Sequence, residues 1–203
     1  MPLIQLNKMN KELSSRQMEI LIATVNLIEK GGLANVTIKQ LSKHINVTEG
    51  AIYKHFSSKE EILIQTLEMV RADVMDVFIK AHNSAEQPLQ ILKNIYVKQA
   101  AFFENNPAYV VIILSEALYK ELNALSETIR LIMNDSKAII NEIMHKGQEK
   151  NHIRNDIPSG QLTFIFMSAL RNCINQWYLS EFESDIRLSC EQVWRTIYQL
   201  IKK

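Results

Sequence analysis

Apolar residues recur at helical spacing along most of the chain. Between Arg16 and Lys30, Met18, Leu21, Ile22, Val25 and Ile28 follow an i, i+3, i+4, i+7 pattern, which predicts an amphipathic helix. Ser14 or Ser15 can cap its start, and Gly31-Gly32 can end it by supplying a left-handed residue. Thr37 is then an N-cap for a short helix over 38–44, with Ile38, Leu41 and Ile45 on one face. Asn46 breaks it, because Asn is one of the few non-glycine residues at ease with positive φ. Val47 turns inward, and Thr48 caps a second short helix from Glu49 to His55 that aims Ile52 and Phe56 at the core. Ser57 with Glu60, and Ser58 with Glu61, both read as capping boxes for a long helix through Ile62, Leu67, Val74 and Phe78 to about Ala81.

Pro88 opens the next helix, which runs to about Glu104, and Asn105-Asn106-Pro107 is a stop followed by a start. Pro107 to about Lys120 is strongly apolar, and its β-branched run admits a strand. Helical neighbours and the lack of a partner strand favour a helix there. A long amphipathic helix over Ser126 to about Lys150, a connector at 151–156, and two final helices, Pro158 to about Ser180 and Ser184 to about Ile201, complete the pattern. The fold class is all-α, with about nine helices. A three-helix helix-turn-helix domain is expected over residues 1–57 and a larger helical domain over 58–203.

Composition agrees, since five Gly and four Pro in 203 residues leave few tight turns. No stretch is apolar enough to span a bilayer, and the N-terminus lacks the basic-then-apolar order of a signal peptide. A cytoplasmic protein with no membrane partner is therefore expected, with Cys173 and Cys190 as buried, inert thiols. The net charge is only +1, but residues 1–60 carry +3 and the remainder −2. A basic head on a slightly acidic body suits a head that meets phosphate. No Gly-rich phosphate loop, H-E-x-x-H, CxxC or G-x-S-x-G is found, so no enzyme is expected. His145, Glu149 and His152 could share a helix face as metal ligands, but the helix should fray near Asn151. They are read as a solvated face, and no metal or cofactor is expected.

The stretch Thr37–Leu63, TIKQLSKHINVTEGAIYKHFSSKEEIL, joins two short helices by a tight turn. Such a unit enters the major groove with the N-terminal residues of its second helix, while flanking groups hold phosphate. Thr48, Glu49, Gly50 and Ala51 would then face base edges, and the small residues among them let backbone approach DNA closely. Tyr53, Lys54 and Lys59 are placed for phosphate, as are Thr37 and Lys39, and His55 lies beside them. Lys8, Lys11 and Arg16 could form an N-terminal arm. Glu49 would repel phosphate but can accept from cytosine N4.

This stretch resembles the TetR family of bacterial regulators. The likeness rests on Thr37, Ile38, Leu41, Ser42, Val47, Thr48, Gly50, Ile52, Tyr53, His55, Phe56, Lys59, Ile62 and Leu63. Asn46 stands where the family usually has Gly, and Ser42 where it usually has Ala. Beyond the motif, the C-terminal part is similar in length, helix content and the connector from Gly147 to Asp156. The resemblance implies a dimeric repressor that binds double-stranded, palindromic operator DNA and is released by a small-molecule effector. It also implies a dimer bundle from the last two helices, for which Phe164, Met167, Ile174, Trp194, Ile197 and Ile201 are candidates. The effector pocket would lie among the middle helices, with Phe102, Phe103, Tyr109, Ile113, Met133, Asn141, His145 and Trp177 as candidates. Activation instead of repression, and a helical interaction module that binds no specific DNA, remain as alternatives.

Overall fold

Helices begin where the sequence supplies a partner for their first amides. The computed structural model describes residues 13–114 and 123–203. α1 (Ser15–Gly31) opens on a reciprocal cap: Gln17 N donates to Ser14 Oγ at 3.2 Å, and Ser14 N to Gln17 Oε1 at 3.0 Å. It closes on Gly32, whose φ of 66° favours glycine. α2 (Ile38–His44) is capped by Thr37, whose Oγ1 accepts from Gln40 N at 3.1 Å. Asn46 takes a φ of 54°, as its place in the turn requires. α3 (Glu49–Tyr53) is capped by Thr48, and α4 (Lys59–His82) starts where Ser58 Oγ accepts from Glu61 N at 3.1 Å.

α5 (Pro88–Glu104), α6 (Pro107–Leu114), α7 (Asn123–Glu149), α8 (Ser159–Leu179) and α9 (Ile186–Ile201) follow. The β-branched run in α6 is helical, and the remainder of the helix expected there lies outside the described residues. α9 starts later than the Ser184 boundary. Asp185 Oδ1 accepts from Leu188 N at 2.8 Å, while Ser184 N is drawn into the loop by donating to Ser180 Oγ at 3.2 Å. Among the described residues the extended structure is one isolated bridge, Ile153 with Lys202.

The chain divides into two compact units. One holds the described residues up to Asp73 and those from Pro107 to Arg130. Here α1 packs against α2 and α6, and the core is built from Ile20, Leu21, Ile28, Leu41, Ile52, Phe56 and Ile62. The buried stripe of α1 is rotated from the expected one. Ile20, Thr24 and Leu27 are inside, while Ile22 is 50% exposed. Thr24 can be buried because its hydroxyl donates to Ile20 O at 2.8 Å.

The other unit holds Val74–Asn106 and Leu131–Lys203. Its centre is an aromatic cluster in which Tyr96 lies edge-on to Phe166 at 4.8 Å and beside Trp194 at 5.9 Å. The Tyr96 hydroxyl is satisfied by donating to Phe166 O at 2.9 Å. α7 ends at a tight turn. The carbonyl of Gly147 accepts from His152 N and Ile153 N, and Asn151 takes a φ of 56°.

Candidate nucleic-acid interface

The helix-turn-helix places its polar and small residues outward because its apolar ones are spent on the core. Leu41, Ile52 and Phe56 are at most 2% exposed, which fixes the opposite face of α2 and α3 toward solvent. Thr48, Glu49, Gly50, Tyr53 and Lys54 are exposed there, and Ala51 is half-buried. Thr37 and Lys39 are exposed at the start of α2, while His55 and Lys59 are half-buried beyond α3. Lys8 and Lys11 lie outside the described residues. Arg16 is exposed but engaged with Glu19 at 2.6 Å.

Three features suit this face to a polyanion. Thr48 Oγ1 accepts from Ala51 N at 3.2 Å, so its hydroxyl hydrogen is left to donate outward. Tyr53 is 52% exposed, so its ring is not core packing. A Cβ built on Gly50 would meet nothing nearer than Thr48 Oγ1 at 4.0 Å. Neither its own packing nor its backbone conformation therefore demands glycine at that position.

The pattern of residues 20–66 matches the sequence model of the bacterial regulatory proteins, tetR family. The helix-turn-helix of this chain is therefore of the tetR type. The matched segment spans α1, α2, α3 and the start of α4, which is the unit that carries the face just described. Two curated relatives extend the likeness. The nucleoid occlusion factor SlmA of Vibrio cholerae serotype O1 is 22% identical over 95% of this chain and 98% of its own length. The HTH-type transcriptional repressor NicS of Pseudomonas putida is 28% identical over 68% of this chain and 66% of its own. Among solved structures, the transcriptional regulator FadR from Bacillus subtilis, in complex with stearoyl-CoA, superposes with a TM-score of 0.76. That match covers 89% of this chain and 97% of FadR at 16% identity, which speaks to the fold. The fold is thus that of the TetR regulators, and the matched segment carries the helix-turn-helix of a DNA-binding regulator.

The residues expected at a dimer face separate into two groups. Phe164 is 70% exposed, and Met167 and Ile174 are half-buried. Trp194, Ile197 and Ile201 are at most 5% exposed and fill the core of their own unit, so they have no surface left for a partner. Further apolar surface on these helices comes from Ile165 and Leu179 on α8, and Leu188 and Leu200 on α9, all over 40% exposed. Sequence reasoning named Leu200 along the last helix but passed over Ile165, Leu179 and Leu188, which stand off the main stripe. In α9 that stripe is Ile186, Cys190, Trp194, Ile197 and Ile201, and Leu188 and Leu200 lie outside it. An apolar residue off a complete core stripe was the available signal.

The expected effector residues are also dispersed. Tyr109 and Ile113 belong to the first unit, and Phe102, Phe103, Met133, Asn141, His145 and Trp177 to the second. Tyr109 is buried and donates to Asp73 Oδ2 at 2.8 Å, and both burial and that carboxylate push its phenol pKa up. Phe103 is buried, and Phe102 and Met133 are half-buried. Trp177 stacks edge-on to Phe182 at 4.7 Å. Asn141 Oδ1 accepts from Thr163 Oγ1 at 3.4 Å. His145 is exposed and sits 3.5 Å from Glu149 in an ion pair with solvent around it, which does not suit a pocket wall. Two surface clefts of about 390 and 380 Å³ occur in the second unit, one beside Tyr198 and Lys203 and one beside His82 and Lys146, and neither is lined by these residues. Among the described residues, no group of three metal-ligating side chains comes together, and no helix is long and apolar enough to cross a membrane.

Proposed function

We propose that this chain is a cytoplasmic, dimeric repressor that reads a palindromic operator with α3 and is released by a small-molecule effector. The observation that carries the reading is the exposed face formed by Thr48, Gly50, Tyr53 and Lys54 above a fully buried Leu41–Ile52–Phe56 core. The first turn of α3 reads bases, while Thr37, Lys39, Tyr53, Lys54 and Lys59 hold phosphate. One short helix contacts too little DNA for specific affinity, so two copies on half-sites about 34–36 Å apart supply it. The repressor name of NicS and the acyl-CoA complex of FadR support repression and an effector. Effector binding lowers operator affinity by favouring a conformation that fits the two half-sites less well.

The test is binding of the purified protein to the DNA upstream of its own gene, by fluorescence anisotropy at two salt concentrations. Saturable binding should weaken steeply with salt and drop roughly tenfold or more in Lys54→Ala and in Tyr53→Ala. Binding to neither that DNA nor a randomised pool would sink this reading and leave the interaction module.

The near full-length match to SlmA favours one second reading, a DNA-bound nucleoid occlusion factor. It uses the same face. Chromosome-wide occupancy distinguishes the two: many dispersed sites support the occlusion factor, and a few promoter sites the repressor.

A further inference from the structure

Between Thr37 and Lys59 there is a single acidic residue, Glu49, in a stretch that also holds Lys39, Lys43 and Lys54. It is exposed in the first turn of α3. Folding makes little use of it. Thr48 is the cap of α3, since its Oγ1 accepts from Ala51 N, and Ala51 stands where a capping box would need an acid or amide. The Glu49 carboxylate has no hydrogen-bond or ion-pair partner among the described residues. A helix of five residues also has little macrodipole for the charge to complement. A carboxylate on a face that meets phosphate weakens binding to every DNA sequence alike, unless a donor in the groove meets it.

We propose that Glu49 is a specificity-determining residue, which selects cytosine at one position of each operator half-site by accepting a hydrogen bond from the cytosine N4 amino group. The proposal rests on the reading that α3 enters the major groove. An ionised carboxylate has acceptors and no donor. Guanine presents N7 and O6 there, and thymine O4, all of them acceptors that repel it. Adenine presents its N6 amino group beside N7, an acceptor, so one carboxylate oxygen is satisfied and the other is opposed. Cytosine is the one base whose own major-groove edge carries a donor and no acceptor. Gly50, next in the chain, has no side chain to hold the backbone of this turn away from the base edges. Lys54 and Tyr53 serve the other part of the task, holding phosphate whatever the sequence.

The full-length protein, Glu49→Gln, Glu49→Ala and Lys54→Ala each select sites from a randomised duplex pool, and the enriched half-sites are compared. Glu49 and Lys54 are exposed, so these variants keep the buried core intact. The wild type should enrich cytosine at one symmetric pair of positions, and changing that base should weaken binding roughly tenfold. Glu49→Gln should move the preference there to adenine, because an amide offers N6 an acceptor and N7 a donor. Glu49→Ala should bind all four bases at that position within about threefold and hold randomised DNA more tightly at low salt. Lys54→Ala should weaken every site alike and leave the base preferences as they are. Base preferences that are identical in the wild type and both Glu49 variants overturn the proposal, as does a wild-type preference for another base at the position they change. A wild type that enriches no site at all is a different result: it overturns the DNA-reading face itself, and this proposal with it.

Discussion

At Gly50 the demands of folding and of DNA contact can be separated. The position is exposed in the first turn of α3, and a Cβ there meets nothing closer than 4.0 Å. Gly50→Ala should therefore leave thermal stability unchanged or raise it by up to about 1 kcal/mol, as helix propensity favours Ala. On the proposed reading, DNA affinity in the anisotropy assay should still fall roughly tenfold or more, because the added methyl would stand where backbone approaches the base edges. The buried neighbour Ile52 should behave in the opposite way. Ile52→Ala removes a fully buried side chain and should cost about 2–5 kcal/mol in chemical denaturation. A Gly50→Ala protein that binds DNA with unchanged affinity would remove Gly50 from the contact face. This part of the molecule was legible in the sequence because turn chemistry is local. Thr37, Asn46 and Thr48 each do their work within four residues of themselves, so their roles follow from identity and spacing.

Elements were legible where a cap or a breaker marks them, and less so where only a stripe does. Thr37 and Pro88 fixed the starts of α2 and α5, but the stripe of α1 fits two rotations, and the neighbours that decide between them are distant in sequence. The same non-local packing makes Gly147 indispensable. A Cβ there would stand 2.5 Å from Ile153 Cδ1 and 3.2 Å from Pro88 Cβ, and Ile153 is itself fully buried. Gly147→Ala should destabilise by about 1–3 kcal/mol, lowering Tm by roughly 2–10 °C in a calorimetric scan. The start of α4 should carry a pH signature. The Glu61 carboxylate accepts from Ser57 N and Ser57 Oγ, both at 2.6 Å, and these bonds hold its pKa below the ordinary 4.5. A depressed folded-state pKa means the cap contributes fully above the ordinary value and is lost as pH falls through the depressed one. Melting curves between pH 6 and 3 should show the wild type losing stability toward Glu61→Gln, with the gap between them closing at the acid end. A constant gap across that range would assign the cap no role in the acid response.

At the scale of the whole molecule, three of the six side chains expected at a dimer face are buried in their own unit. Apolar identity does not say which of two neighbours an apolar residue covers. Trp194, Ile197 and Ile201 are consumed by their own unit, whereas Phe164, Leu179, Leu188 and Leu200 leave a surface that water contacts in a single copy. Burial of such side chains against a second copy contributes about 25 cal/mol per Å² of apolar area removed from water. Truncating them should then act on association and leave the fold intact, and truncating the buried set should do the reverse. In a Phe164→Glu, Leu188→Glu variant, sedimentation should show monomers with a nearly unchanged single-copy fold by circular dichroism. Operator affinity should fall by about a hundredfold, since each head would then have to bind its half-site alone. Trp194→Ala should instead unfold by about 3–5 kcal/mol more readily, because it opens a cavity beside Tyr96 and Phe166. A double variant that still sediments as a dimer would move the interface away from the outer face of α8 and α9. A variant that is monomeric yet binds the full operator with wild-type affinity would separate DNA reading from dimerisation.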